Sequence, residues 1–403
     1  MKVAVIGAGA AGYFAAISVR EHWLGAHVEL LEKGSKVLAK VRISGGGRCN
    51  VSHDQPEPRK LALHYPRGGR FLKKAFEQWS VQDTVAWFEA QGVELKTEED
   101  GRMFPVTDDS GTIVEALRSA AHKAGVVLRM NAGVRALRKT EGGFAIELEG
   151  GQGLVMDKVI VAAGGHPKTE GYAWLADLGV PIVQPVPSLF TFNLMDKSMS
   201  ELMGVVAPKA VVRLAGLKLE EQGPLLITHW GFSGPPVLRL SAWGARELQA
   251  AQYRYTVQVN WVGRPENEAR AEMDNDWSSH PKKQVINACP FDLPERLWAW
   301  HLDKAGIPAT KPCAEVGKHD RNRLLDRLVN DRHPAQGKTT FKEEFVTAGG
   351  VDLTSVDPNT MQSRTLPGLF FAGEVLDIDG ITGGFNFQAA WTTGWVAGKH
   401  VGY

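Results

Sequence analysis

The opening residues, Val3 to Glu32, constrain this chain more than any other stretch. Val3-Ala4-Val5-Ile6 is a short apolar run that reads as a strand buried on both faces. Gly7 ends it, a helical pattern runs from Ala10 to about His22, and a second apolar run spans His27 to Leu31. Strand, glycine turn, helix and strand make a βαβ unit. The turn itself, Gly7-Ala8-Gly9-Ala10-Ala11-Gly12, is a G-x-G-x-x-G sequence. Gly7 permits the tight turn, Gly9 lets backbone approach a pyrophosphate, and Gly12 lets helix and strand pack closely. The helix N-terminus, with Ala10 and Ala11 in its first turn, offers unpaired N–H groups to phosphate. Glu32 follows Gly12 by 20 residues, where a carboxylate accepts hydrogen bonds from an adenosine ribose. A dinucleotide-binding α/β domain is the expectation.

A chain of 403 residues is too long for one small core, so two or three domains are expected. Its net charge of +1 provides no overall field to hold nucleic acid or an anionic membrane. The three cysteines, Cys49, Cys289 and Cys313, form no C-x-x-C pair. A disulfide framework and a structural zinc site are therefore not expected, and a cytoplasmic setting fits. The N-terminal apolar run resembles a secretory signal, but glycines break it. No uninterrupted apolar stretch is long enough for a membrane span.

Further along, residues 71–92 read as one amphipathic helix and Thr112 to Ala124 as another. Strands are expected at Val126 to Met130, Val134 to Leu137, Phe144 to Leu148 and Leu154 to Met156, the last two paired antiparallel. Val159 to Ala163 is a buried strand ending in Gly164 and Gly165, small enough to lie under a dinucleotide. Three prolines between Pro181 and Pro187 read as a linker. Short strands are expected from Phe190 to Trp261, and a charged helical part over 264–335 with Trp277, Trp298 and Trp300 as packing anchors. Strand character returns at Glu344 to Thr347 and at Leu369 to Ala372, and a last helix runs from about Gly384 to Val401.

That last region selects the dinucleotide. A strand ends in Gly373-Glu374, a loop follows, and Gly383-Gly384 open the final helix. Such a helix N-terminus suits the electron-rich pyrimidine edge of a flavin, where its dipole stabilises negative charge on the reduced ring. The other unusual passage is Val41 to Asp54, where Gly45, Gly46 and Gly47 precede Arg48, Cys49 and Asn50. A metal site, a reactive thiol, a plain turn and a cofactor-facing loop are all open readings of it.

GAGAAG at 7–12, ISGGGRCN at 43–50, AAGG at 162–165, THWGFSGP at 228–235, VTAGGVDL at 346–353 and FAGEVLDIDGITGGFN at 371–386 occur in that order. Together they resemble the BaiN-like or aminoacetone-oxidase-like family of bacterial FAD-dependent oxidoreductases. The resemblance implies a Rossmann-like, glutathione-reductase-type FAD domain built from residues 1–187 and 341–403. The insertion, 188–340, would hold a β-barrel at about 188–263 and a helical subdomain at about 264–335.

It also implies non-covalent FAD, with NAD(P)H as a transient reductant, since no second G-x-G-x-x-G follows residue 187. In that picture Glu32, Lys33 and Val134 border the adenosine end. Lys40, Ser44 and the glycines Gly45 to Gly47 approach the pyrophosphate, the ribityl chain and the flavin. Arg48, Cys49 and Asn50 border the ring, Ala163 to Gly165 lie beneath the dinucleotide, and Gly373, Glu374, Asp379, Gly383, Gly384, Phe385 and Asn386 close the site. Arg48 and His229 are the candidate catalytic residues, with His166 a weaker one. The expected substrate is a small molecule: an amine with oxygen as acceptor, or an enone or steroid-like compound reduced by NAD(P)H. An alternative is a flavin-dependent RNA-modifying or RNA-binding protein, using Arg321, Arg323, Arg327 and Arg332 as a basic strip. A third is a non-catalytic flavin redox sensor. No metal and no membrane partner are expected.

Overall fold

The computed structural model describes residues 1–339 and 346–403. Its contacts divide the chain into two compact units, Met1–Ser188 with Phe341–Tyr403, and Leu189–Thr340.

The first unit is built on the βαβ element. Strand β1 (Lys2–Ile6) leads into helix α1 (Ala10–His22) and strand β2 (His27–Leu31). Three further strands, β3 (Val127–Arg129), β4 (Lys158–Val161) and β5 (Leu369–Phe371), complete a parallel sheet ordered β5-β4-β1-β2-β3. Val3, Ala4 and Val5 are fully buried, as a central strand with covered faces requires. The chain runs outward from β1 in one direction through β2 and in the other through β4, so the sheet reverses between β1 and β4. The carboxyl ends of the strands at such a reversal are where doubly wound sheets bind ligands.

Helix α1 packs along the final helix, α2 (Phe385–His400). A Cβ on Gly394 would lie 2.5 Å from the Ala11 carbonyl oxygen, and one on Gly398 would lie 2.6 Å from that of Ala15. The matched spacing shows that the two helices run parallel. It also places the start of α2 eight residues before that of α1 along their common direction, so α2 projects roughly 12 Å past the N-terminus of α1.

Strands 143–148 and 153–156 pair antiparallel as expected, and strand 134–140 joins them on the other side of 143–148 to make a three-stranded sheet. Two expectations change. Residues 71–92 are two helices, Gly69–Phe76 and Val81–Ala90, because Ser80 and Asp83 form a reciprocal capping box that starts a new helix. Residues 182–188 are a strand, paired antiparallel with Val346–Val351, instead of a linker. The register shifts between Val183 and Val186, and that irregularity accommodates Pro185 in a sheet of two edges. Phe341, and the strand start expected at Glu344, lie outside the described residues.

The second unit contains a closed six-stranded barrel in the order 191–194, 231–233, 220–227, 206–214, 254–260, 331–339. Phe192, Leu225, Ile227, Phe232, Val257 and Val259 fill it. Helices Glu266–Ser279, Glu295–Lys304 and Lys318–Val329 pack around Met273, Trp277, Trp298 and Leu324. Trp277, Trp298 and Trp300 are buried. The helical part was expected to reach residue 335, but Asp331–Thr339 is the strand that closes the barrel. Asp331, His333 and Ala335 point inward while the residues between them face solvent, and that alternation of polar side chains masks the strand in the sequence. Conversely, two helices, Pro235–Trp243 and Ala245–Ala250, interrupt the region expected to be mainly short strands.

Candidate functional site

At the carboxyl end of β1 the three fingerprint glycines meet three different surroundings. Gly7 adopts φ +103°, and a Cβ there would sit 2.4 Å from the Ala162 carbonyl oxygen at the end of β4. A Cβ on Gly12 would collide with the Gly7 carbonyl at 1.8 Å, so α1 touches the turn that precedes it. Gly9 has nothing within 4 Å of its Cβ direction, and no side chain caps α1. The first turn of α1, including Ala10 and Ala11, thus presents unpaired N–H groups toward open space.

Glu32 anchors the neighbouring edge. Its Oε2 accepts from the Ala8 N–H at 3.1 Å and its Oε1 from the Gly34 N–H at 2.8 Å, leaving further lone pairs on both oxygens. Lys33 is exposed beside it. The Ala132 N–H donates to the Glu32 carbonyl, which brings the start of strand 134–140, with Val134, to the same end of the sheet.

The glycine loop wraps round from Lys40. Gly45, Gly46 and Gly47 have φ of +58°, +70° and +86°, the left-handed region that favours glycine, and nothing lies within 4 Å of the Cβ direction at Gly46 or Gly47. Ser44 donates its hydroxyl to the Val41 carbonyl at 3.0 Å. The Arg48 guanidinium pairs with Glu98 at 2.7 Å, approaches Asp108 at 3.5 Å and lies 4.0 Å above the Phe104 ring. Its charge is therefore shared with two carboxylates. Cys49 is fully buried, and burial pushes its thiol up to about 12. Burial opposes the thiolate that a reactive cysteine needs. Among the described residues no group of three His, Cys, Asp or Glu side chains is placed to hold a metal ion.

The loop is tied to the start of α2. The buried Asn50 side chain, with its amide oriented to satisfy its neighbours, accepts from the Gly384 N–H at 3.0 Å and donates to the Ser52 carbonyl at 2.9 Å. Gly383 and Gly384 both have positive φ, and α2 begins without a side-chain cap. Asn386 closes the turn by bonding both the N–H and the carbonyl of Gly380. The loop therefore holds open a second helix N-terminus, beyond the first along the α1–α2 pair.

Glu374 links the remaining pieces. Its Oε1 accepts from the Thr347 N–H at 2.9 Å and its Oε2 pairs with Lys40 at 2.7 Å. A Cβ on Gly165 would lie 2.6 Å from the Thr347 hydroxyl and 2.7 Å from Glu374, so these segments converge. Gly373 donates to the Thr393 hydroxyl, Gly164 faces open space and Ala163 is exposed. Asp379 is fully buried, paired with Arg67 and accepting from Ser188 at 2.6 Å. Burial raises its carboxyl above the ordinary value, with Arg67 pulling the other way.

His166 bonds the Lys168 carbonyl at the edge of this unit. His229 lies in the second unit, exposed in the turn between strands 220–227 and 231–233, its ring centroid 4.1 Å from that of Trp230. Of the expected basic strip, Arg321 pairs with Asp274, Arg323 with Asp320 and Arg327 with Asp331, and Arg332 is exposed.

The sequence reading missed several neighbours of the site. Thr347, fully buried, has a hydroxyl without a hydrogen-bond partner among the described residues. It lies in the VTAGGVDL block, and only a contact with Glu374 would have singled it out. His53 and His64 both stack against Phe385, at 4.5 and 4.4 Å between ring centroids, and lie 6.0 Å from each other.

These features fit FAD. Two parallel helices begin without side-chain caps, their starts offset by roughly 12 Å, and open glycine backbone borders both. Their N–H groups would suit a diphosphate and a flavin ring, and Glu32 would suit an adenosine ribose. The family model described as HI0933-like protein Rossmann domain matches residues 1–400. The chain belongs to the HI0933-like Rossmann-domain family. It is an FAD-dependent oxidoreductase by that membership and by the flavoprotein architecture just described.

Relatives of known name resemble it over nearly their full length. A ribosomal RNA dihydrouridine synthase of Escherichia coli (strain K12) is 29% identical over 98% of this chain and 96% of its own. A 3-dehydro-bile acid delta(4,6)-reductase of Clostridium scindens is 28% identical over 99% of this chain and 98% of its own. Among solved structures, a 3-ketosteroid-delta4-(5alpha)-dehydrogenase from Rhodococcus jostii RHA1 aligns with TM-score 0.52 and 14% identity, over 100% of this chain and 96% of that one. At that identity the likeness is one of fold. Among the described residues no helix is long and apolar enough to cross a membrane.

Proposed function

We propose that this chain reduces a carbon–carbon double bond conjugated to a carbonyl, with NAD(P)H as the transient reductant of its FAD. The relatives carry the reading. A 3-oxo steroid unsaturated at positions 4 and 6 and the uracil ring of uridine are different molecules, yet each presents an alkene conjugated to a carbonyl, and both named reactions concern that bond. Bound flavin supplies hydride chemistry at N5. The chain's own groups divide the rest. The first turn of α1 holds the diphosphate, and Glu32 the adenosine ribose, with Lys33 and Val134 beside it. Lys40 and Ser44 approach the ribityl side. The N–H groups of Phe385 and Asn386 at the start of α2 hold negative charge at the pyrimidine edge. Gly45 to Asn50 border the ring, where Arg48, restrained by Glu98, fixes the loop. His229 is the candidate proton donor of the second unit.

The test is a two-step anaerobic titration. NADH or NADPH should bleach the visible flavin band, and a 3-oxo-Δ4 steroid or a simple cyclic enone should restore it without oxygen. Restoration by oxygen alone, with amines as the only compounds that bleach the flavin, would reject an ene-reductase and support an amine oxidase.

A second reading, reduction of uridine in RNA, is favoured by the synthase relatives. Under it, uridine-containing RNA and not the enone restores the band. The basic strip at 321–332 does not support that reading, because acids neutralise three of its four arginines.

A further inference from the structure

Residues 58–76, PRKLALHYPRGGRFLKKAF, contain six lysines and arginines and no acid, in a chain whose cations and acids balance overall at 46 to 45. They form two short helices, Pro58–Ala62 and Gly69–Phe76. The helices touch closely: a Cβ on Gly69 would lie 2.4 Å from the Ala62 carbonyl oxygen. Leu61, Leu72, Ala75 and Phe76 are buried, so the apolar face of the pair is used inward. Arg59, Lys60, Arg70 and Lys74 are exposed and Lys73 is half-buried. Lys60 pairs with Glu57 at 2.9 Å, whereas Arg59, Arg70, Lys73 and Lys74 make no ion pair among the described residues. Arg70 and Lys74 stand one turn apart on the same helix, where like charges repel. Glu77, exposed at the end of the second helix, is the acid nearest these two in sequence and makes no ion pair with them among the described residues. A face so rich in cations suits a polyanion.

The connection between the helices joins this face to the cofactor side of the same unit. Arg67 pairs with Asp379, the Ile381 N–H donates to the His64 carbonyl at 3.0 Å, and the Tyr65 hydroxyl donates to the Phe385 carbonyl at 2.6 Å. The His64 ring stacks on Phe385, the first residue of α2. Whatever binds the two helices is therefore held beside the turn that opens the ring end of the site.

We propose that the two-helix face is a docking surface for the phosphate backbone of RNA, through Arg59, Arg70, Lys73 and Lys74. The proposal rests on the RNA reading above and places its nucleic-acid contact away from the arginines of 321–332. An anionic membrane is the other polyanion to consider. It would call for apolar side chains beside the cations, but on this pair the large ones are buried apart from exposed Leu63 and half-buried Phe71.

The probe is a labelled uridine-rich RNA oligonucleotide, titrated by anisotropy against the FAD-loaded protein over a salt series, with phosphatidylserine vesicles in parallel. The R59Q/R70Q/K73Q/K74Q variant should bind the RNA at least about tenfold more weakly. Its log–log salt slope should be shallower by about 0.7 for each phosphate that is no longer neutralised. R321A/R323A should bind as the wild type does. Retained flavin absorbance and thermal midpoint report correct folding. If the fourfold variant fails to fold, R59Q/R70Q and K73Q/K74Q separately should each weaken binding. Wild-type affinity and slope in folded variants would overturn this surface while leaving the RNA reading intact. No RNA binding by the wild type would overturn both, and loss of vesicle binding with RNA binding unchanged would reassign the face to lipid.

Discussion

Gly9 and Gly12 carry the same side chain for opposite reasons. At Gly12 a methyl group has nowhere to go, since the Gly7 carbonyl is 1.8 Å from where it would sit. Gly12→Ala should therefore destabilise the fold by about 2 kcal/mol or more, read as a lowered denaturation midpoint of the apoprotein. At Gly9 the same methyl meets no protein atom, and the backbone φ of −90° suits alanine. Gly9→Ala should leave apoprotein stability within about 0.5 kcal/mol of wild type while weakening FAD retention. Equal loss of stability in both variants would contradict the division of roles. His301 offers a test in the second unit. It is fully buried, neither ring nitrogen has a partner among the described residues, and burial lowers its pKa to about 3. The unfolded chain binds a proton near pH 6.5 and the folded chain does not. Stability from this group is therefore present above pH 6.5 and falls as pH drops toward 3, by at most about 1.4 kcal/mol per pH unit. His301→Leu should flatten that dependence in urea midpoints measured between pH 7 and pH 4.5.

Among the elements, the loop from Lys40 to His53 and the turn from Gly380 to Gly384 act as one piece, joined through Asn50 to Gly384 and His53 to Gly383. The pairing of Arg67 with the buried Asp379 fastens the outer side. Arg67→Ala would leave a buried carboxylate without its cation, so a loss of about 3–5 kcal/mol in chemical denaturation is expected. Arg67→Ala/Asp379→Asn should recover part of it. The sequence revealed these elements unevenly. The fingerprint turn was legible because three glycines, a buried strand and a following acid are each needed at fixed spacing. The break at Ser80 was not, because the apolar positions on either side continue one helical period. Strand 182–188 was hidden by its prolines, which an edge position and a register shift accommodate. Of the candidate site, the residues whose backbone is used could be read directly, since glycine is what bare backbone looks like in a sequence. Thr347, His53, His64 and Arg67 could not, because their significance comes from partners far along the chain.

At the scale of the molecule, the first unit takes its strands and helices from both ends of the chain, with α1 and α2 packed in parallel through small residues. The barrel was expected to end near residue 263, and its closing strand Asp331–Thr339 was hidden because it alternates polar side chains that belong to a buried cluster. That cluster, Asp331 with His333 at 2.8 Å and Trp261 at 3.0 Å, explains why a strand so rich in charge can close a barrel. The central claim is that the first unit binds one FAD, with its phosphates at the start of α1 and its ring at the start of α2. The visible spectrum of the purified protein, with flavin released and counted per chain, tests it most directly. The account predicts a yellow protein holding one non-covalent FAD per chain. A colourless protein that takes up no FAD on reconstitution, while fully folded, would contradict it.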